Sequence, residues 1–522
     1  MPSGEQYKSN QPPDQLIQNH PQIEMPELDH DKLNATFIGS DLGSCSQYRG
    51  IQYGTISKRF EEPTLKTDWN GQRVNCQQWG PRCPQNKYDI GHLLRAPEGD
   101  IFYDETEDEF KCLNLDITIP ANTPSDGARL PVMIWIHGGS QIVSFGNGAS
   151  KAGDTTRIVV ESALHSKPMI VVSVQYRLNM FHVGDGNGNK NLGFKDQQLA
   201  IQWVSRYIAG FGGNPDDVTL AGESAGAVFV HGLIVSGAPV KRGILMSGSL
   251  HMSPPQPEAR AKTMLIDPVL DKLKAKGYTS LGEAPVQAIL EAQAEIPIPS
   301  VFLQDDECFA AWQENTGNIQ ELIIGDCEFE SVLWRNGVEA MSAEQVVECF
   351  EKAGSSSNRL KDLYHINKSR APQCRHGALD FMNDIRFALP VPLITKRYEK
   401  EGKKVYRYLF DQANPWQPSS RAHHAVDLLY LFNGFDMTMN PSAEELGKEL
   451  RRRFIWYING EAPWTIHKTM AFGPLGDTRE INDGGVAARR RTRQMDEVNK
   501  LDASDVAAVF GSLAAGRISL HN

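Results

Sequence analysis

Gly222-Glu223-Ser224-Ala225-Gly226 stands at the end of the run Asp217-Val218-Thr219-Leu220-Ala221, and this junction restricts the folds open to the chain more than any other feature. A strand that turns sharply into a helix presents the residue at the bend, and side chains two places before and after it would collide as the backbone closes. Glycine at 222 and 226 removes both collisions. A serine hydroxyl is a weak nucleophile until a base takes its proton, so a serine held out on such an elbow sits where a histidine can reach it.

The surrounding pattern agrees with a strand at that place. Short apolar runs recur at Leu113–Ile119, Pro131–Ile136, Met169–Val174, Val218–Ala221, Gly243–Met246, Glu321–Ile324 and Val405–Phe410, alternating with helical stretches. Several are apolar at consecutive positions, which is how a strand covered on both faces reads. The expected class is therefore α/β, a mostly parallel sheet flanked by helices. Large helical insertions are expected between the late strands, at 252–320 and 335–400. They hold helices such as Ala343–Ala353 and Pro268–Lys276, the latter capped by Asp267 and stopped by Gly277. A Pro-rich break follows at Ile296–Ser300. A tail over Arg489–Leu513 reads as helical, with Arg489-Arg490-Arg491 as a solvated face. Residues 1–34, rich in Gln, Asn, Pro and acids, read as a flexible lead-in, and 35–522 as a single domain.

A formal net charge of −11 over 522 residues argues against a phosphate-binding surface, so nucleic acid is not an expected partner. The first thirty residues are polar and lack the apolar core of a secretory signal, and no later run reaches membrane-spanning length; the chain reads as cytoplasmic. Eight cysteines with no C-x-x-C pair give no zinc pattern. Neither a metal nor an organic cofactor is expected.

Acyl transfer needs donors waiting for an oxyanion, and His137-Gly138-Gly139 follows directly on Val132–Ile136. Backbone N–H groups there would work with that of Ala225, the residue after the nucleophile. A carboxylate and a histidine are then required later in the chain. Gly325–Ser331 offers Asp326, Glu328 and Glu330; Arg421–Asp427 offers His423 and His424. The residues alone leave both choices open. Pocket shape would depend on the insertions and on aromatic residues such as Trp79, Phe145, Trp334 and Trp416.

The run Asn191-Leu192-Gly193-Phe194-Lys195-Asp196-Gln197-Gln198-Leu199-Ala200-Ile201-Gln202-Trp203-Val204 resembles the type-B carboxylesterase family, which includes the cholinesterases. So do Phe211-Gly212-Gly213-Asn214-Pro215-Asp216 and the elbow itself. The likeness extends to Tyr48-Arg49-Gly50-Ile51, Gly80-Pro81-Arg82-Cys83-Pro84-Gln85 and Cys112-Leu113-Asn114-Leu115, and covers about residues 45 to 510, most densely from 110 to 250. It implies the α/β-hydrolase fold and a carboxylic ester hydrolase working through an acyl-enzyme on a small-molecule ester. The family pattern G-x-N-x-x-E-[GS] falls on Gly325–Ser331 and implies Glu330 as the triad acid. Similarly A-x-H-G-x-[ED]-L falls on Ala422–Leu428 and implies His424 as the base. Gly138, Gly139 and Ala225 take the oxyanion positions, Glu223 matches the family glutamate beside the nucleophile, and Ser247 resembles a serine near the acid.

Departures from the family pattern bear on the substrate. Ser140 replaces a third glycine or alanine of the oxyanion loop, and Phe110-Lys111-Cys112 replaces Glu-Asp-Cys. Ile101-Phe102-Tyr103 stands where cholinesterases carry a tryptophan for the quaternary ammonium, which points away from choline esters. Cys83 and Cys112 occupy positions that resemble a family disulfide, which conflicts with a reducing compartment. The same residues would also serve an acyltransferase, lactonising or dehydrating enzyme of small-molecule biosynthesis. The fold also occurs in non-catalytic binding proteins that lost the serine, which this chain keeps.

Overall fold

Alternate residues of the run Leu130–Ile136 enter two different cores: Val132, Ile134 and Ile136 pack on one side, Met133 and Trp135 on the other. The strand is buried on both faces, which is why its sequence shows no polar alternation. The computed structural model describes residues 25–97, 105–121, 127–296, 301–515 and 518. Its central sheet has 11 strands. In chain order they are β1 Ser40–Asp41, β2 Cys45–Gln52, β3 Asn114–Pro120, β4 Leu130–Ile136, β5 Ile170–Val174 and β6 Gly213–Glu223. Then come β7 Arg242–Met246, β8 Glu321–Cys327, β9 Lys404–Phe410, β10 Thr469–Phe472 and β11 Thr478–Ile481. Their order across the sheet is β1-β2-β3-β5-β4-β6-β7-β8-β9-β10-β11. From β5 to β10 all neighbours are parallel; both edges are antiparallel. Every apolar run expected as a strand forms one.

Parallel register carries the site-bearing loops out of the sheet side by side. Ile136 pairs with Gly222, Glu223 with Met246, Met246 with Gly325, and Cys327 with Phe410. The segments after those residues therefore emerge at the carboxyl end of the sheet as neighbours, although the first and the last come from opposite halves of the chain.

Four helices border the site and its surroundings: α1 Ala225–Val235, α2 Ala371–Asn383, α3 Pro390–Lys400 and α4 Ala503–Ala514. The first is apolar all round and entirely buried, as a helix against the middle of a sheet must be. The insertions between β7 and β8 and between β8 and β9 are helical, as expected.

Three expectations change. Asp267 is not a cap, because Glu258–Ala261 continues through a widened turn, Lys262–Ile266, into Asp267–Ala275. Pro268 cannot donate to the helical ladder, and the wide turn absorbs that mismatch without ending the helix. Gly277 does stop it, at φ +91°. Second, Arg489-Arg490-Arg491 is not a helix face: it joins the helices Asp483–Ala487 and Thr492–Val498. Arg490 is buried, bonding Asp326 at 2.7 Å and Asp411 at 2.8 Å, while Arg491 bonds Asp384 at 2.7 Å. Those aspartates are distant in sequence, so nothing local announces the pairing. Third, the end of the expected lead-in is ordered structure. Glu27–His30 pairs antiparallel with Ala35–Ile38, and His30 bonds the Tyr207 carbonyl at 2.8 Å. Residues 1–24, Ile101-Phe102-Tyr103 and most of the Ile296–Ser300 break lie outside the described residues.

All eight cysteines are free, Cys83 and Cys112 included. A hydrogen bond with Cys83, together with burial, pushes the Cys112 thiol well above its ordinary range.

Candidate active site

β6 ends at Glu223, and Ser224 takes φ 56° and ψ −124° before α1 begins at Ala225. Such a conformation costs a non-glycine residue on the order of 1–3 kcal/mol and persists only where the surroundings enforce it. Here the enforcement is visible. A methyl group on Gly226 would stand 2.2 Å from the Ile136 carbonyl oxygen, so the helix start lies directly against the end of β4. Ser224 N–H donates to the Met246 carbonyl at 2.9 Å, which holds the bend against β7.

His424 reaches this serine. Its Nε2 lies 2.8 Å from Ser224 Oγ, and its Nδ1 lies 2.5 Å from Glu330 Oε2. Glu330 Oε1 accepts from the Cys327 N–H at 2.6 Å, and the Glu330 N–H donates to Asn383 Oδ1 at 2.8 Å. Asn383 closes α2 and was missed by sequence reasoning; nothing in its neighbourhood marks it out. Ser224 is only 8% exposed, so its hydroxyl lies in a recess rather than at the surface.

The alternatives left open by the sequence are now separated. Asp326 points to Arg490, and Glu328 is paired with Arg421 at 2.7 Å on the outside. His423 turns away: its Nδ1 is 2.8 Å from the His424 carbonyl oxygen, and its Nε2 is 3.1 Å from Asn414 Nδ2. Burial pulls the His423 imidazole down to about 4, so it stays neutral.

Of the expected oxyanion donors, Gly138 is already engaged, donating its N–H to the Phe145 carbonyl at 3.1 Å. Gly139 and Ala225 have no acceptor for their N–H groups among the described hydrogen bonds, and the same holds for Ser140. The Gly138 N–H is engaged because a bridge between Gly138 and Phe145 folds the loop back. Gly139 has φ +108°, and a methyl there would stand 2.0 Å from the Val143 carbonyl oxygen. Gly138 is a close neighbour of Ser224: a methyl on it would lie 3.3 Å from Ser224 Cβ. Tyr176 supports the loop, donating to the His137 carbonyl at 2.6 Å with its ring stacked on His137.

Three buried carboxylates surround the His424 imidazole. Besides Glu330, Glu223 Oε1 lies 3.3 Å from His424 Nε2, and Asp427 accepts from Tyr408 at 3.2 Å. Burial alone would lower His424, but Glu223, Glu330 and Asp427 outweigh it and raise the imidazole to about 9. Burial in turn lifts Glu223 well above the carboxylate range and Asp427 to about 7. These groups titrate together: when Glu223 or Asp427 holds a proton, its upward pull on His424 is lost. Ser247 sits behind the acid, its hydroxyl 3.6 Å from Cys327 Sγ rather than on Glu330 itself.

Phe145 and Trp334 are core residues, and Trp79 carries Arg49 over its ring at 4.3 Å. Trp416 packs on Phe435. Among the described residues no group of His, Cys, Asp and Glu is arranged to hold a metal, and no helix is long and apolar enough to cross a membrane.

Comparison with known proteins agrees with this architecture. The profile of the carboxylesterase family matches residues 34–462. Lipase 3 of Yarrowia lipolytica is 30% identical over 94% of this chain and 99% of its own length. Carboxylesterase 5A of Felis catus is 29% identical over 81% of this chain and 82% of its own. Among solved structures, a PNB esterase superposes with a TM-score of 0.68 at 21% identity, over 88% of this chain and 98% of that one, which shows the α/β-hydrolase fold. The chain belongs to the carboxylesterase family and is a carboxylic ester hydrolase.

Proposed function

We propose that the chain hydrolyses small-molecule carboxylic esters through an acyl-enzyme on Ser224, with His424 as base and Glu330 as the orienting acid. The observation that carries the reading is the imidazole of His424 held between Ser224 Oγ at 2.8 Å and Glu330 Oε2 at 2.5 Å. In the first step Nε2 takes the hydroxyl proton as Oγ attacks the ester carbonyl, while Glu330 stabilises the imidazolium that forms. Negative charge then builds on the carbonyl oxygen, and the N–H groups of Gly139, Ser140 and Ala225 are the donors we assign to it. His424 returns the proton to the leaving alcohol. Water repeats the sequence on the acyl-enzyme and frees the acid. Glu223, whose Oε1 lies 3.3 Å from Nε2, favours the imidazolium together with Glu330.

The lipase and carboxylesterase relatives support a carboxylic ester as the substrate class. Ile101-Phe102-Tyr103, in the region where cholinesterases carry a tryptophan for the quaternary ammonium, supports an ester other than a choline ester. The direct test is a fluorophosphonate probe followed by peptide mapping, together with turnover of p-nitrophenyl esters of graded chain length. Modification confined to Ser224, lost in Ser224→Ala along with turnover, is the expected result. Equal turnover by Ser224→Ala would end the proposal.

A further inference from the structure

Arg386 is a cation without an anion. It lies in the widened turn Asp384–Ala388 that joins α2 to α3, and no carboxylate is ion-paired with it among the described residues. Its Nη1 donates to the His251 carbonyl at 3.0 Å, and its Cζ stands 3.9 Å over the Phe510 ring centroid. Its Nε is buried with no hydrogen-bond partner among the described residues. A buried donor left unsatisfied is costly. The turn itself is a π-type bulge, a feature that recurs at functional sites.

The guanidinium borders a cleft of about 200 Å³ between α3 and α4. The walls are apolar, with Leu389 and Leu393 on one side and Val506 and Phe510 on the other. A second cleft of about 340 Å³ shares His251 and Leu393 with the first. Arg386 is the single Lys or Arg in the first cleft's lining, so that lining suits a singly charged head rather than a polyanion. A guanidinium matches a carboxylate in charge and planarity, and the apolar walls match a hydrocarbon body. Burial and the neighbouring Arg260 bring the guanidinium down to about 10, so it stays charged at neutral pH.

We infer that this cleft binds a free aliphatic monocarboxylate, its head on Arg386 and its chain between α3 and α4. The site is separate from the reacting atoms. Neither Ser224 nor His424 lines the cleft, and Phe387, the residue after Arg386, sets its ring 5.4 Å from the His424 ring. Binding there does not depend on Ser224 being the nucleophile.

Titration calorimetry with octanoate, run against octanol on the full chain, tests it. Octanoate must bind, and octanol must bind more weakly. Arg386→Met removes the donors and Val506→Trp fills the cleft by a different route, so both should weaken octanoate binding roughly tenfold or more while p-nitrophenyl ester turnover persists. Retained turnover also shows that each variant is folded, and either variant alone suffices for the test. No heat with octanoate on the wild-type chain, or affinity unchanged in a folded variant, overturns the inference.

Discussion

The backbones of Phe329 and His423 pair in parallel register, and each stands one residue before a member of the site, Glu330 and His424. The Phe329 N–H donates to the Ala422 carbonyl at 2.9 Å in the same pairing. Cys327 pairs with Phe410 at the ends of β8 and β9; the chain after β9 then loops out, and the pairing resumes at His423. It places Glu330 and His424 at the same height, so that Nδ1 and Oε2 meet at 2.5 Å.

His423 and His424 are neighbours with opposite fates. His424→Gln should abolish turnover of a p-nitrophenyl ester, whereas His423→Gln should keep it within about tenfold. Equal losses in the two variants would contradict the assignment.

On the proposed mechanism, Glu330→Gln keeps the shape of the side chain but withdraws the charge that would hold the imidazolium. A fall in kcat on the order of 10⁴, with KM little changed, is expected from steady-state kinetics.

The pH profile of kcat/KM has a definite sign. Because buried carboxylates raise His424, the acid limb should have its midpoint above the ordinary histidine value of 6.5. Once its proton has gone, the Glu223 carboxylate favours the imidazolium; Glu223→Gln removes that contribution, so the midpoint should fall and activity should extend to lower pH. An unmoved or higher midpoint would count against Glu223 acting on the imidazole.

Gly139→Ala combines a φ of +108° with a contact at 2.0 Å from backbone, and neither can relax without moving the oxyanion loop. Its cost should be about 1–3 kcal/mol in denaturant unfolding, with a further loss of kcat of roughly 10²- to 10³-fold as donors shift.

Arg490→Met leaves Asp326 buried without its cation and Asp411 with Arg489 alone. Breaking a buried pair in this way costs about 3–5 kcal/mol, and Asp326→Asn with Asp411→Asn in the same chain should restore part of it. A double-mutant series followed by urea denaturation measures both.

Legibility in the residues tracks the range of the interactions. The elbow was legible because its demands are local: two glycines, a serine and the strand before them lie close together in the chain. Strands were legible because burial on both faces leaves consecutive apolar residues, and each expected run became a strand. The acid and base were narrowed to Asp326, Glu328, Glu330, His423 and His424, and only the family resemblance chose among them. Asn383, Tyr176 and Arg386 carried no local mark, and Arg489-Arg490-Arg491 carried a misleading one.

Residue order alone settled the sheet, the elbow and the kinds of side chain that the chemistry would need. Which of those side chains meet was decided only in three dimensions. Parallel register brought segments from opposite halves of the chain to one end of the sheet, turned His423 away and His424 inward, and engaged the Gly138 N–H with Phe145. Contacts of that span depend on where whole strands stand relative to one another, and no window of neighbouring residues encodes that.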